Sequence, residues 1–274
     1  MKGQGRDTNL TKQSFLYGTM ILVGAGFITK ILGFVYRIAL SRIIGDEGMG
    51  LFQMAFPILI FTIMLTTGGI PVAISKLVSE AEAKNEEYRI RSILLVSIII
   101  VTVMSMIITG LVLLFAPFIA NTLLTDKRAI YSLMGIAPII PIIAVSSVFR
   151  GYFQGKQNMT PYAYSTVIEQ IVRIFTVILL AKYLMPYGVK YAAAGAMIGM
   201  VIGELMGMAY LLLRFKKDPK KPILAFFSVK RRRNSTRSLI QTVKDLLHIT
   251  IPVSASRLVG SLSYAVEPIV VSQS

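Results

Sequence analysis

Hydrophobic residues in this chain gather into seven long, nearly charge-free runs at 15–44, 51–77, 92–114, 129–149, 162–184, 192–215 and 249–271. A hydrocarbon core ~30 Å thick takes about 20 apolar residues of helix to cross. Each run meets that length. Backbone amides inside lipid have no water to bond, so runs of this kind must close their hydrogen bonds internally as helices. The pattern predicts an all-α, multi-pass integral membrane protein. The boundaries it predicts are a polar cytoplasmic tail over 1–13, a six-helix bundle over 14–215, a basic cytoplasmic linker over 216–248, and one further helix over 249–274.

Several runs carry helix breakers. Pro57, Gly68, Gly69 and Pro71 lie in the second, Pro138 and Pro141 in the fourth, Pro252 and Pro268 in the seventh. Proline removes a backbone donor and is expected to kink these helices. In the sixth run Gly195, Gly199, Gly203 and Gly207 recur every four residues on one face, a pattern that suits a helix-packing seam. Within the linker, Leu239, Val243, Leu246 and Leu247 recur near helical spacing, as in an amphipathic stretch lying on the inner leaflet.

Composition agrees with this reading: 54% of residues are hydrophobic, 15% are charged, and the mean hydropathy is +0.68. The net charge of +16 reports topology rather than nucleic-acid binding. With the N-terminus inside, 20 Lys and Arg fall in the inner gaps, among them Lys76, Lys84, Arg89, Arg91, Arg150, Lys156 and the cluster from Arg214 to Lys244. Five, Arg42, Lys127, Arg128, Lys182 and Lys190, fall outside. Lys- and Arg-rich short loops stay cytoplasmic. The basic linker also implies anionic lipid headgroups as a partner. Cysteine is absent and His248 is the sole histidine, which argues against thiol chemistry and against a His/Cys metal site. No cofactor is expected. The first run is too long for a signal-peptide core and reads as a retained helix.

Seven charged residues sit inside the runs: Lys30, Arg37, Arg173, Arg257, Glu169, Glu204 and Glu267. A charge at the bilayer centre costs ~2.5–3.5 kcal/mol or more, so each needs a partner, a wet cavity or a route to the interface. Lys30 and Arg37 stand nearly two turns apart on one helix face with Gly26 and Gly33, which makes a cavity wall for an anion. Arg257 is a candidate extension of that wall. Glu169 and Arg173 are four apart and suited to pair, either as scaffold or as function. Glu204 has no basic residue within a turn. It is either protonated, as a proton-coupling group would be, or matched from another helix, with Lys30 and Arg37 as the candidates. Glu267, nearer the outer end, reads as solvated.

Three stretches carry a family likeness. Thr29-Lys30-Ile31-Leu32-Gly33-Phe34-Val35-Tyr36-Arg37, continuing through Ala39 to Gly45, resembles the opening signature of MurJ-like lipid II flippases. Phe149-Arg150-Gly151-Tyr152-Phe153-Gln154-Gly155-Lys156, running on to Pro161, resembles the fourth-to-fifth helix junction of the SpoVB (stage V sporulation protein B) branch. With Glu169-Gln170-Ile171-Val172-Arg173, the chain is similar to the MOP superfamily of polysaccharide exporters. The resemblance implies two six-helix lobes around a cavity that opens alternately to either side, and a protein about twice this length. It implies transport of undecaprenyl-pyrophosphate-linked sugars, peptidoglycan precursors among them, across the bacterial cytoplasmic membrane for wall or spore synthesis. By the same likeness Lys30 matches a cavity arginine, a second such arginine falls on Tyr36 beside Arg37, and a third is replaced near Phe61. The charges within the runs, together with this likeness, make Lys30, Arg37, Arg173 and Arg257 the candidate substrate-binding residues, with Glu169 and Glu204 as coupling or charge-pair groups and a proton or sodium ion as the coupling partner. A cation-coupled drug exporter of the same superfamily is the near alternative, although its site should be acidic. An integral-membrane lipid-processing enzyme is the distant one. Its best carboxylate group, Glu80, Glu82, Glu86 and Glu87, lies among Lys84, Arg89 and Arg91 and reads as a solvated turn. A retinal-type Schiff base is excluded because the seventh run has no lysine.

Overall fold

A computed structural model describes residues 15–122, 124, 126–218 and 240–256. Among them the chain is all-helical. In order the helices are α1 (Phe15–Met54), α2 (Phe56–Thr67), α3 (Ile70–Ala83), α4 (Glu87–Leu114), α5 (Ala116–Thr122), α6 (Ile130–Ile136), α7 (Ile139–Gly155), α8 (Thr160–Leu184) and α9 (Val189–Lys216). A last helix, α10, covers 240–256. Four stretches are long and apolar enough to cross a membrane: Tyr17–Ala83, Glu87–Leu114, Lys127–Gly155 and Val189–Lys216. The first, at 67 residues, is long enough for two passes. α8 is long enough as well, at 25 residues or ~37 Å. Glu169, Arg173 and Lys182 lower its apolar character, so its place among the other helices depends on how those charges are matched.

The breakers act differently from the kinks expected of them. Pro57 and Pro71 stand in the first turns of α2 and α3, where a missing N–H costs nothing and the fixed φ favours helix. The run 51–77 therefore holds the end of α1 and then two helices, α2 and α3, separated at Gly68–Gly69. Pro138 sits at the start of α7 and parts it from α6. α1 runs ten residues past its expected end, through Gly45, whose φ of +65° is open to glycine and turns the helix axis there. α10 is helical from residue 240, within the stretch expected to be linker. Leu246, expected on a membrane surface, is buried in the core formed by α3, α4, α7 and α9, with Val243 and Ile249 packed against that core.

Two apolar cores stack along the bundle. One joins Tyr36, Leu40 and Ile44 of α1 to Leu133, Ile136, Val177 and Met197. The other joins Ile74, Val78, Leu94, Phe149, Tyr152 and Phe215. On α9 the first core ends at Val201 and the second resumes at Leu211. Glu204 falls in the gap between them.

Candidate functional site

The glycine face of α9 decides what meets in that gap. A methyl group on Gly199 would stand 2.6 Å from the backbone nitrogen of Val177, and one on Gly203 would stand 2.7 Å from Cβ of Arg173. A methyl on Gly207 would lie 3.1 Å from Cβ of Glu169. α8 and α9 thus approach backbone to backbone. Glu204, next to Gly203, is carried onto the Glu169–Arg173 turn of α8.

α7 adds the fourth charge. Gly151 and Gly155 press it onto α3, where Cβ atoms would come within 2.8 Å of the carbonyl oxygens of Pro71 and Ser75 respectively. That seam keeps α7 inside the bundle to residue 155 and holds Arg150 more than a turn within it. One terminal nitrogen of Arg150 donates to Glu169 Oε2 at 3.1 Å and to Glu204 Oε1 at 2.8 Å. Arg173 donates to the other oxygen of Glu169, faces Glu204 Oε2 at 3.7 Å, and reaches Gln170 at 3.4 Å. Glu204 is 3% exposed and Glu169 8%. Two arginines and two glutamates from three helices close a neutral network. Glu204 lies twelve residues, ~18 Å, from the end of α9. Tyr162 stacks under the Arg150 guanidinium at 5.5 Å. The Nε atoms of Arg150 and Arg173 are buried without a hydrogen-bond partner.

α1 presents the opposite case. Tyr36 and Leu40 turn inward, and Gly33 leaves room for the Gln170 amide, which would stand 3.7 Å from an added methyl. Lys30 and Arg37 lie on the flank beside this buried stripe, both exposed. Among the described residues neither is in an ion pair. The two ends of the bundle are tied by separate pairs. Arg128 bridges Glu47 and Asp126 at one end. At the other, Lys156 and the Tyr152 hydroxyl meet Asp218 at 3.1 and 2.7 Å.

A family model described as polysaccharide biosynthesis protein matches residues 15–273, nearly the whole helical pattern. The chain belongs to that family. Stage V sporulation protein B of Bacillus subtilis (strain 168) is 48% identical over 97% of this chain and 50% of its own length. Lipid II flippase MurJ of the same organism is 30% identical over 74% of this chain and 39% of its own. The fold matches a multidrug resistance MATE transporter of the MOP superfamily in an outward-facing conformation, with TM-score 0.65 and 20% identity over 95% of this chain and 57% of that one. The chain therefore spans about half the length of the curated relatives it matches, and its bundle resembles half of a MATE transporter. This is a family of membrane transporters, not of enzymes.

In this polysaccharide-biosynthesis family member the residues singled out from sequence divide into two groups. Glu169, Arg173 and Glu204 come together. The partners of Glu204 are Arg150 and Arg173, so the expectation that Lys30 or Arg37 would match it is corrected: they lie on the exposed flank of α1, and Glu204 faces α7 and α8. Lys30 and Arg37 stand apart from the network. Gly195, Gly199, Gly203 and Gly207 all face α8, with Gly195 against Leu180 and Leu184. Arg257 and Glu267 lie outside the described residues. Arg150 is what sequence reasoning missed, because a cation closing a hydrophobic run reads as a loop charge. The signal was present in Gly151 and Gly155, a close-packing pair that holds the next turn of α7 inside.

Proposed function

We propose that this chain is the first lobe, with the first helix of the second, of a flippase for an undecaprenyl-pyrophosphate-linked oligosaccharide or peptidoglycan precursor. The observation that carries the proposal is the contrast between the two sets of cations. Arg150 and Arg173 are neutralised by Glu169 and Glu204, while Lys30 and Arg37 stand exposed on one flank of α1 with no carboxylate among the described residues to match them. A lone cation in a membrane span needs an aqueous or anionic surrounding. A pyrophosphate diester supplies the anion, and a wet cavity between two lobes supplies the water. In this reading Lys30 and Arg37 bind the pyrophosphate, with Arg257 adding to the same wall, and the polyprenyl tail stays in lipid. The bias of Lys and Arg toward alternate gaps supports a cytoplasmic N-terminus, so movement runs from the inner to the outer leaflet. Rocking of the lobes exposes the cationic flank alternately. A proton or sodium ion acting at the Glu169–Glu204 network is the source of coupling. Anionic headgroups meet the basic linker between the lobes.

The test is Lys30→Ala in the full-length protein, reconstituted into vesicles containing a fluorescent lipid-linked pyrophosphate sugar. Flipping is expected to fall at least tenfold, the loss of about 1.4 kcal/mol of ion binding, with insertion and yield unchanged. Undiminished flipping by Lys30→Ala and Arg37→Ala together would sink the role of the α1 flank. Faster efflux of a cationic drug by the same variants would favour a drug exporter.

A further inference from the structure

The break between α2 and α3 frees a backbone donor in the middle of a membrane-embedded run, and α10 supplies its partner. The Gly69 N–H donates to the Ser254 hydroxyl at 2.9 Å. The fit requires both glycines. A Cβ on Gly68 would stand 2.4 Å from Ser254 Oγ, and one on Gly69 would stand 2.6 Å from the carbonyl oxygen of Thr250 and 2.9 Å from Cβ of Val253. Toward the α3–α4 turn the same face of α10 buries Leu246. There Asp245 lies 3.6 Å from Arg89 of α4, both about one-third exposed. The other face of α10 is open, with Ile240, Leu247 and Ile251 exposed. Among the described residues α10 therefore touches the bundle along one seam, from the α2–α3 break toward the α3–α4 turn.

We infer that Gly68–Gly69 and Ser254 form a releasable latch between the six-helix bundle and α10. Engaged, the latch closes the α3–α4 side of the seam. Released, it leaves the Gly69 amide to water, because an unbonded amide is not tolerated in hydrocarbon. The break is thus a point where water must enter when α10 swings away. Its chemistry suits repeated release. A neutral hydrogen bond and an ion pair about one-third exposed lie along the seam beside buried Leu246, whereas α7, α8 and α9 are locked by four buried charges. The inference rests on the two-lobe reading above for its place in transport, but the contact itself is tested without transport.

This chain has no cysteine, so introduced cysteines report on it once any in the rest of the full-length protein are replaced by serine. Arg89→Cys with Asp245→Cys in the full-length protein, in native membranes, is treated with a short bifunctional maleimide and scored by protection from a polymer-linked maleimide. The otherwise unsubstituted pair is expected to cross-link. Ser254→Ala should lower the cross-linking rate ~fivefold, the value of one net hydrogen bond, and speed hydrogen exchange at the Gly69 amide by a similar factor. Gly69→Ala should abolish cross-linking. Gly110→Ala on α4, where an added methyl meets nothing within 4 Å, should leave it unchanged. Equal cross-linking and equal amide exchange with and without Ser254→Ala would overturn the latch, whether or not Gly69→Ala folds. Lys30→Ala is expected to keep the cross-link. A lost latch with Lys30-dependent flipping intact would refute this inference and leave the transport reading standing.

Discussion

Arg150→Met is the sharpest probe of the buried network. The substitution keeps most of the side chain's bulk and removes one of two cations facing Glu169 and Glu204. Arg173 is left to serve both carboxylates, and the buried cluster acquires a net negative charge. All four side chains are less than one-fifth exposed, so solvent screening offers little relief. Removing one partner from a buried ion pair typically costs ~3–5 kcal/mol, because the remaining charge is stranded. Glu204→Gln alone strands a cation instead and should cost a similar amount. Joined in one chain, the two substitutions restore neutrality, so the double variant should cost well under the sum, with a coupling of about 2–3 kcal/mol. The assay is reversible unfolding in mixed detergent micelles, with the single and double variants compared as a cycle. A cost below ~1 kcal/mol for Arg150→Met, or additive effects in the cycle, would refute the argument that the network is closed and charge-balanced.

Other outcomes follow from the same geometry. Gly199→Ala, whose methyl would stand 2.6 Å from the Val177 nitrogen, should destabilise by ~1–3 kcal/mol, while Gly110→Ala should be silent in the same unfolding assay. Tyr152→Phe removes a hydrogen bond to the Asp218 carboxylate and should cost ~1.5–3 kcal/mol; an unchanged unfolding midpoint would show that this bond adds no net stability. At the opposite end, hydrogen bonds from the Arg128 side chain and backbone hold the Asp126 carboxyl below the usual aspartate range. A depressed pKa adds stability above the unfolded value and loses it as pH falls through the folded one. The Asp126–Arg128 contact should therefore persist at pH 4 and dissolve only in stronger acid, as a carbon-13 titration of the Asp126 carboxyl would read. A midpoint at or above about 4 would contradict the bidentate contact.

Proline and charge show where reading the chain stopped short. Pro57 and Pro71 were legible as breakers, but whether a proline bends a helix or opens a new one depends on which residues precede it in helical register, and that is settled by what the helix packs on. The Glu169–Arg173 pair was visible from its spacing alone. The partners of Glu204 were not, because they arrive from helices 31 and 54 positions away.

Hydrophobic run length and the placement of Lys and Arg determined, without any coordinates, that the protein is a helical membrane bundle. Both follow from the bilayer as solvent, which acts on each segment separately. The four-residue glycine repeat of α9 likewise follows from local geometry, since residues at that spacing share a face wherever the helix lies. Only the tertiary structure decided that Arg150 is buried, that the network of Arg150, Glu169, Arg173 and Glu204 is neutral, and that Lys30 and Arg37 stand outside it. The energy of an ion depends on which charges surround it in space, and close packing across glycine seams is what brings those charges together.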